Sequence, residues 1–222
     1  MPLRGRAFNA MWSGLLKGYE RELDRWHTIE HMPERVGVPG WLRGRRYMTT
    51  KADGHAMFIL YEASHVGAFC SPAHLASLNN PTEWSKRVQP GLVNFIRSPC
   101  QTLISIGDGI GGALAAIRIS GEIKEKIEPT QRLMSAAPAI AQLHGVTAVH
   151  VGQCVVSDIS GTAEAKLREN IADNVSFVVL VEGIGVPELE SVTPQLLDIA
   201  SAASSGTCES GVYRLAYMLD AP

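Results

Sequence analysis

The stretch Trp26-His27-Thr28-Ile29-Glu30-His31-Met32-Pro33-Glu34-Arg35 puts two imidazoles and a carboxylate within five residues. On a helix of about 100° per residue, Leu23, Trp26 and Ile29 form an apolar stripe. His27 and Glu30 border that stripe and His31 lies slightly further round, so all three can point into a cleft beside the core. A neutral imidazole held there can take or give a proton near neutral pH, with Glu30 orienting it. The spacing His27-x-x-Glu30-His31 also matches the inverted zinc-protease motif. Zinc needs a third protein ligand, and the following segment offers only Asp53, His55, Glu62, His65, His74 and Glu83, with no second motif. A metal-free acid–base or ligand-binding role therefore ranks above zinc. A histidine-rich helix end without chemistry is the plain structural alternative. Pro33 is expected to end this helix, which leaves His31 in its last turn, where the helix dipole favours the imidazolium.

The next segment, Gly40–Thr50, reads as a strand and supplies anion-binding groups. With a period of two, Trp41, Arg43, Arg45, Tyr47 and Thr49 share one face, and Leu42, Gly44, Arg46 and Met48 the other. On the neighbouring strand His55, Met57, Ile59 and Tyr61 share a face. A pocket walled by Trp12, Trp41, Tyr47 and Tyr61, with His55 at its edge, suits a planar organic acid. Arg43 or Arg45 would hold its carboxylate through two parallel hydrogen bonds. The alternative is that these aromatics only fill the core.

The elements that must position these residues follow from hydrophobic periodicity. Strands are expected over residues 7–15, 40–50, 55–63 and 100–107, with a helix at 20–31. A second helix opens at Asn80-Pro81-Thr82-Glu83, with Asn80 as N-cap and Pro81 in the first turn. The order β-α-β-β-α-β then recurs, with strands at 112–119, 146–157, 174–183 and 211–220 and helices at 129–145 and 187–203. "FILYEA" falls opposite "VVLVEG", and "VPGWLRG" opposite "LHGVTAV". The chain is thus read as α+β, two ferredoxin-like repeats at 1–107 and 108–222, the second carrying an insertion at about 158–173. Each repeat covers one sheet face with helices, and the two sheets are expected to pair within the chain as an α+β barrel. Gly107, Gly109 and Gly112 match Gly-x-Gly-x-x-Gly, but a strand rather than a helix follows, so the segment reads as a linker and not a dinucleotide site.

Composition narrows the classes. The 222 residues are 45% hydrophobic with a net charge of −2, an ordinary globular balance. No run reaches the length of a membrane span. Asn9 and Ser13 interrupt the N-terminal apolar run, which argues against a signal peptide. Residues 1–51 hold ten of the 20 Lys and Arg but five of the 22 Asp and Glu. The excess around Arg43, Arg45 and Arg46 can attract a small anion and is too small for a nucleic-acid surface. Cys70, Cys100, Cys154 and Cys208 form no Cys-x-x-Cys and read as free thiols of a cytoplasmic protein.

Trp26, then His31-x-Pro33, Pro39-Gly40 and a strand bearing arginines and Tyr47 together resemble the EthD-like branch of the dimeric α+β barrel proteins, most clearly over residues 20–65. The second repeat departs from the pattern, because its helix ends with His144 directly before Gly145. The resemblance implies a cleft at the N-terminal repeat with His31 near it. It also implies chemistry of the kind done by cofactor-independent isomerases, dehydratases, cyclases and monooxygenases on small cyclic or aromatic molecules. The expected site is His31, His27 and Glu30 for proton transfer and Arg43, Arg45, Tyr47, Trp41, Tyr61, Trp12 and His55 for the substrate, with no metal and no organic cofactor. The expected partner is a small-molecule ligand, with neither nucleic acid nor membrane, and a homodimer is compatible with the fold. A non-catalytic binding protein and a zinc-dependent hydrolase are the two rival readings.

Overall fold

A computed structural model of the chain describes residues 3–49, 51, 55–121, 127–170, 174–203 and 206–222. Thr50, Asp53 and the end of the expected insertion, 171–173, lie outside the described residues. The element order is β1 (Ala7–Leu15), α1 (Glu20–Trp26), a π-turn (His27–His31), α2 (Met32–Val36), β2 (Trp41–Met48), β3 (Met57–Ala63), α3 (Pro72–Leu78), α4 (Glu83–Val88) and β4 (Leu92–Gly107). The second series is β5 (Ala113–Ser120), α5 (Ile127–Ile140), β6 (Val146–Cys154), β7 (Val175–Gly183), α6 (Val186–Ala203) and β8 (Thr207–Asp220). The eight strands close in the order β1-β3-β2-β8-β5-β7-β6-β4, and the pairings within each series are antiparallel. The α+β architecture expected from the sequence is present. No helix among the described residues is long and apolar enough to cross a membrane.

The chain divides into two compact units. One comprises residues 5–99, 156–172 and 216–222, and the other 1–4, 100–155 and 173–215. In the first, Leu23, Trp26, Met32 and Val36 of the helical layer pack on Met11, Met57, Ile59 and Tyr61 of the sheet. In the second, Leu133, Ala137 and Ile140 of α5 and Leu189, Leu196 and Ala200 of α6 cover Ala115, Ile117, Val149, Val179 and Val181. Alternation along the strands explains both layers, since every second residue turns its side chain to the helices. The glycine-rich linker runs from β4 directly into β5, and the Gly111 N–H donates to Glu182 Oε2 at 3.0 Å.

Two single-residue irregularities change the expected faces. The first is the π-turn, in which the Met32 N–H bonds the His27 carbonyl, a five-residue step. The wider turn rotates Ile29 outward to 62% exposure, whereas His27 and His31 are buried. Ile29 therefore does not belong to the apolar stripe. Nor does the helix stop at His31, because it continues through Val36 with Pro33 in the first turn of α2. A proline is tolerated there because the changeover of hydrogen-bond spacing already interrupts the regular ladder. Met32, although it precedes proline, holds α geometry at φ −67°, ψ −43°.

The second irregularity is a bulge in β2 between Trp41 and Arg43. Trp41 pairs with Ala63, whereas Arg43 pairs with Glu62, Arg45 with Leu60 and Tyr47 with Phe58. Since one extra residue reverses the alternation, Trp41 joins Gly44, Arg46 and Met48 on the helix-covered face. Arg43, Arg45 and Tyr47 point to the opposite face. The expected single face of Trp41, Arg43, Arg45 and Tyr47 does not form.

Smaller differences have local causes. Thr82, not Asn80, caps α4, its Oγ1 accepting from the Ser85 N–H at 3.0 Å. β4 begins eight residues earlier than expected, at Leu92, and holds Asn94 at φ 51°. At Gly44 of β2 the helical layer and the sheet approach closely. A Cβ there would lie 2.8 Å from Tyr61 Cε1 and 2.9 Å from Met32 Cγ. Gly44→Ala should destabilise the fold by about 1–3 kcal/mol, the usual cost of overpacking. Urea unfolding followed by far-UV circular dichroism should show a lower midpoint with an unchanged slope.

Candidate functional site

A cleft lies within the first unit, between the helical layer and the sheet. The helices give it Trp26, His27, His31, Arg35, His74 and Leu78, and the strands Asn9, Met11, Trp41, Ile59, Tyr61, Leu92 and Phe95. Glu164 and Arg168 reach it from the insertion between β6 and β7. Its atom-free space, mouth to solvent included, is about 440 Å³.

The helix sets the first wall. His27, His31 and Arg35 recur at four-residue spacing and line the cleft together. The Trp26 ring lies against His31 with centroids 4.2 Å apart, and His27 and His31 are 5.5 Å apart. Glu30 does not face them. Its Oε1 accepts from Trp26 Nε1 at 3.1 Å and Thr82 Oγ1 at 2.6 Å, which fixes the indole and the start of α4. Glu30 therefore orients a wall residue rather than an imidazole. Across the cleft, Trp41 packs edge-on to Tyr61 at 4.9 Å and lies 4.7 Å from His74. Its Nε1–H donates to the Ala68 carbonyl at 3.1 Å.

The insertion sets the last wall through a buried ion network. Glu164 pairs with Arg35 through Oε2 and with Arg168 through Oε1, the latter at 3.2 Å. Arg35 also meets Ser77 Oγ, which donates to Glu34 Oε1 at 2.6 Å. Arg168 donates to Gln89 Oε1 at 2.6 Å and stacks over Phe95, 4.0 Å from the ring centroid. Backbone bonds dock the segment, from the Glu164 N–H to the Leu78 carbonyl at 2.9 Å and from the Phe95 N–H to the Glu169 carbonyl at 3.1 Å.

Several polar atoms aimed at this space lack partners. His27 Nδ1 and Nε2, His31 Nδ1, His74 Nδ1, the Tyr61 hydroxyl and Asn9 Oδ1 are buried and without a hydrogen bond. Each such atom costs about 1–3 kcal/mol when left unsatisfied. Their convergence on one cleft is what a polar occupant, whether water or ligand, would relieve.

Charge in the cleft follows from burial. Loss of hydration lowers the His27 pKa to about 3, helped by the Arg46 and Arg35 guanidiniums. His74 falls to about 3 for the same reason, with Arg35 and Arg97 adding to the effect. His31 lies well below 6.5, mainly by desolvation and then by Arg35. Burial pushes the Tyr61 hydroxyl upward. All three imidazoles are neutral at pH 7, so the imidazolium expected for His31 at a helix end is replaced by a neutral ring inside a continuing helix.

Of the residues expected at the site, the cleft gathers His27, His31, Trp41 and Tyr61. The others lie elsewhere. Arg45 pairs with Glu62 at 2.8 Å and donates to the Tyr47 hydroxyl at 3.0 Å, and Arg43 Nε meets Asp220 at 2.6 Å, all on the opposite sheet face. Trp12 packs against Phe58 there, centroids 5.1 Å apart. His55 Nε2–H donates to the Asn94 carbonyl at 3.0 Å. Arg35, His74, Glu164 and Arg168 take the places intended for them. The i, i+4, i+8 spacing of His27, His31 and Arg35 and an insertion with no counterpart in the first repeat were the available signals. Among the described residues no group of three or more His, Cys, Asp or Glu could hold a metal ion. The zinc reading of His27-x-x-Glu30-His31 also loses Glu30, which is turned to Trp26.

No protein-family model matches the chain, and no curated protein matches it in sequence. Solved structures do match. A protein described as anthrone oxidase-like superposes with a TM-score of 0.64 at 10% identity, over 97% of this chain and 92% of its own. A candidate monooxygenase from Fusobacterium nucleatum gives 0.58 at 11% identity, over 98% of both chains. A candidate chlorite dismutase gives 0.53 at 15% identity, over 96% of both. The chain has the dimeric α+β-barrel fold. At these identities the likeness is one of fold, and a dimeric α+β barrel hosts unrelated chemistries.

The neutral histidines make stability depend on pH. A histidine whose folded pKa lies below its unfolded value of about 6.5 stabilises the fold above that value. The contribution is lost as pH falls from there toward about 3, because the unfolded chain binds protons that the folded chain refuses. The slope is about 1.4 kcal/mol per pH unit for each fully refused proton. Between pH 5.5 and 4.5 the wild type should therefore lose more unfolding free energy than His74→Gln, by about that amount. Urea titrations at the two pH values check this, and equal losses would contradict the neutral assignment.

Proposed function

We propose that the chain is a small-molecule enzyme using proton transfer, without metal or organic cofactor, on a small cyclic or aromatic substrate that is anionic or becomes so. The observation that carries this reading is the convergence of unpartnered, neutral His27, His31 and His74 with the Tyr61 hydroxyl and Asn9 on one aromatic-walled cleft. A neutral imidazole can accept a proton only if its conjugate acid is stabilised. Here desolvation and the nearby guanidiniums oppose that charge. An anion arriving, or forming, beside the ring reverses the balance, because the field that disfavours imidazolium favours negative charge. His31 is the proposed general base. His27, His74, Tyr61 and Asn9 hydrogen-bond the substrate's polar edge, and Arg35 and Arg168 stabilise its charge. Trp26 and Trp41 supply flat apolar walls for a ring. The Trp26…His31-x-Pro33 pattern supports an EthD-like relation within the fold. The Arg43 and Arg45 carboxylate clamp expected from the sequence passes to Arg35 and Arg168.

Solvent exchange tests this directly. In heavy water, the protein should exchange the acidic C–H of small cyclic carbon acids, with an anthrone and cyclic 1,3-diketones as first compounds. His31→Gln keeps size and polarity but cannot take up the proton, so it should slow exchange by about 10²–10⁴-fold. Binding, followed by quenching of tryptophan fluorescence, should persist in that variant. Compounds that bind while the wild type exchanges none would make this a binding protein and not an enzyme.

A further inference from the structure

A pair of cysteines in the second unit stands apart from the cleft. Cys100 on β4 and Cys154 on β6 are directly opposed in the antiparallel register. Opposed residues of such strands have Cα atoms about 4.5–5.5 Å apart, inside the span of about 4.4–6.8 Å that a disulfide bridges. The two side chains also point at each other, with the sulfurs 2.8 Å apart and neither in a disulfide. Two cysteines facing each other across paired strands need no backbone rearrangement to join.

We propose that Cys100 and Cys154 are an oxidation site, closing to an intrachain cross-strand disulfide in the presence of a low-molecular-weight disulfide. Cys154 is the point of entry, since it is 9% exposed and Cys100 is fully buried. The Cys154 thiolate attacks one sulfur of the oxidant, forming a mixed disulfide and releasing one thiolate. The Cys100 sulfur, as thiolate, then attacks the Cys154 sulfur and expels the second. Two protein thiols are oxidised, one disulfide is reduced to two thiols, and the two protons pass to the leaving thiolates. Burial and the neighbouring sulfur raise the Cys100 pKa, so the second step is slow near neutrality and speeds up with pH. Cys70 is exposed and Cys208 partly so, and each has its sulfur against a backbone carbonyl of its own loop or strand end, Gly67 and Gly206. Both should end as thiols once low-molecular-weight adducts are removed. The bond would fasten the end of β6, from which the chain runs on into the segment that carries Glu164 and Arg168.

The test uses the full chain, reduced, freed of reductant under anaerobic conditions and incubated with oxidised glutathione at pH 7 and pH 8.5. Before quantification, glutathione adducts on exposed cysteines are removed enzymatically with glutaredoxin. Under denaturing conditions the thiol count should then fall from four to two, faster at pH 8.5. Peptide mapping should find the Cys100 and Cys154 peptides joined, two hydrogens lighter than their sum. In Cys154→Ser the Cys100 thiol should remain reduced, because its only route of entry is gone. A count that stays at four, a link through Cys70 or Cys208, or oxidation of Cys100 in Cys154→Ser would each overturn the proposal.

Discussion

The five-residue step from His27 to Met32 fixes which side chains the first helix turns toward the sheet, and the cleft depends on it. In a regular α-helix the apolar stripe through Leu23 and Trp26 would continue through Ile29. The wider turn sends Ile29 to solvent and lets His31 follow Trp26 at the sheet side, ring against ring. The helix then resumes and carries Arg35 to the same wall. π-turns of this kind are rare and occur mostly as single turns inside α-helices, and this one is braced by its surroundings. Arg46 supplies part of them, bonding Asp24 and Thr28 from β2. Glu30 supplies another part through Trp26 and Thr82.

The bulge in β2 is the sheet's counterpart. By admitting one extra residue it places Trp41 opposite the helix wall, where it meets Tyr61 and His74, and sends three polar residues to the other face. There, in full burial, Arg45 pairs with Glu62 and donates to the Tyr47 hydroxyl. The arginines of "RGRR" thus divide their work. Arg46 holds the helix, while Arg43 and Arg45 hold the far face, and the guanidiniums lining the cleft are those of Arg35 and Arg168.

Electrostatics link the cleft to the insertion. Breaking a buried ion pair by removing one partner costs about 3–5 kcal/mol, and Glu164 is the shared partner of two guanidiniums. The insertion is therefore part of the cleft wall, and the guanidiniums its carboxylate pairs, Arg35 and Arg168, oppose a positive charge on His31. Burial and the guanidiniums together disfavour positive charge on the imidazoles of the cleft.

The sequence by itself determined the architecture. Apolar alternation at period two and helices at period 3.6 recur in the same order twice, and strands so patterned have few ways to bury both layers. It also pointed to residues that line the cleft, because His27, His31, Trp41 and Tyr61 were legible from type and spacing. Tertiary structure decided which face each residue took. A π-turn and a bulge each shift the period by one residue, and propensity carries no clear mark of either, since they are held by contacts such as Arg46 with Thr28. Tertiary structure alone also brought Glu164 and Arg168, more than a hundred residues along the chain, to the wall beside His31. That pairing is made by buried charge between segments distant in sequence, and a pattern read along one segment has no term for it.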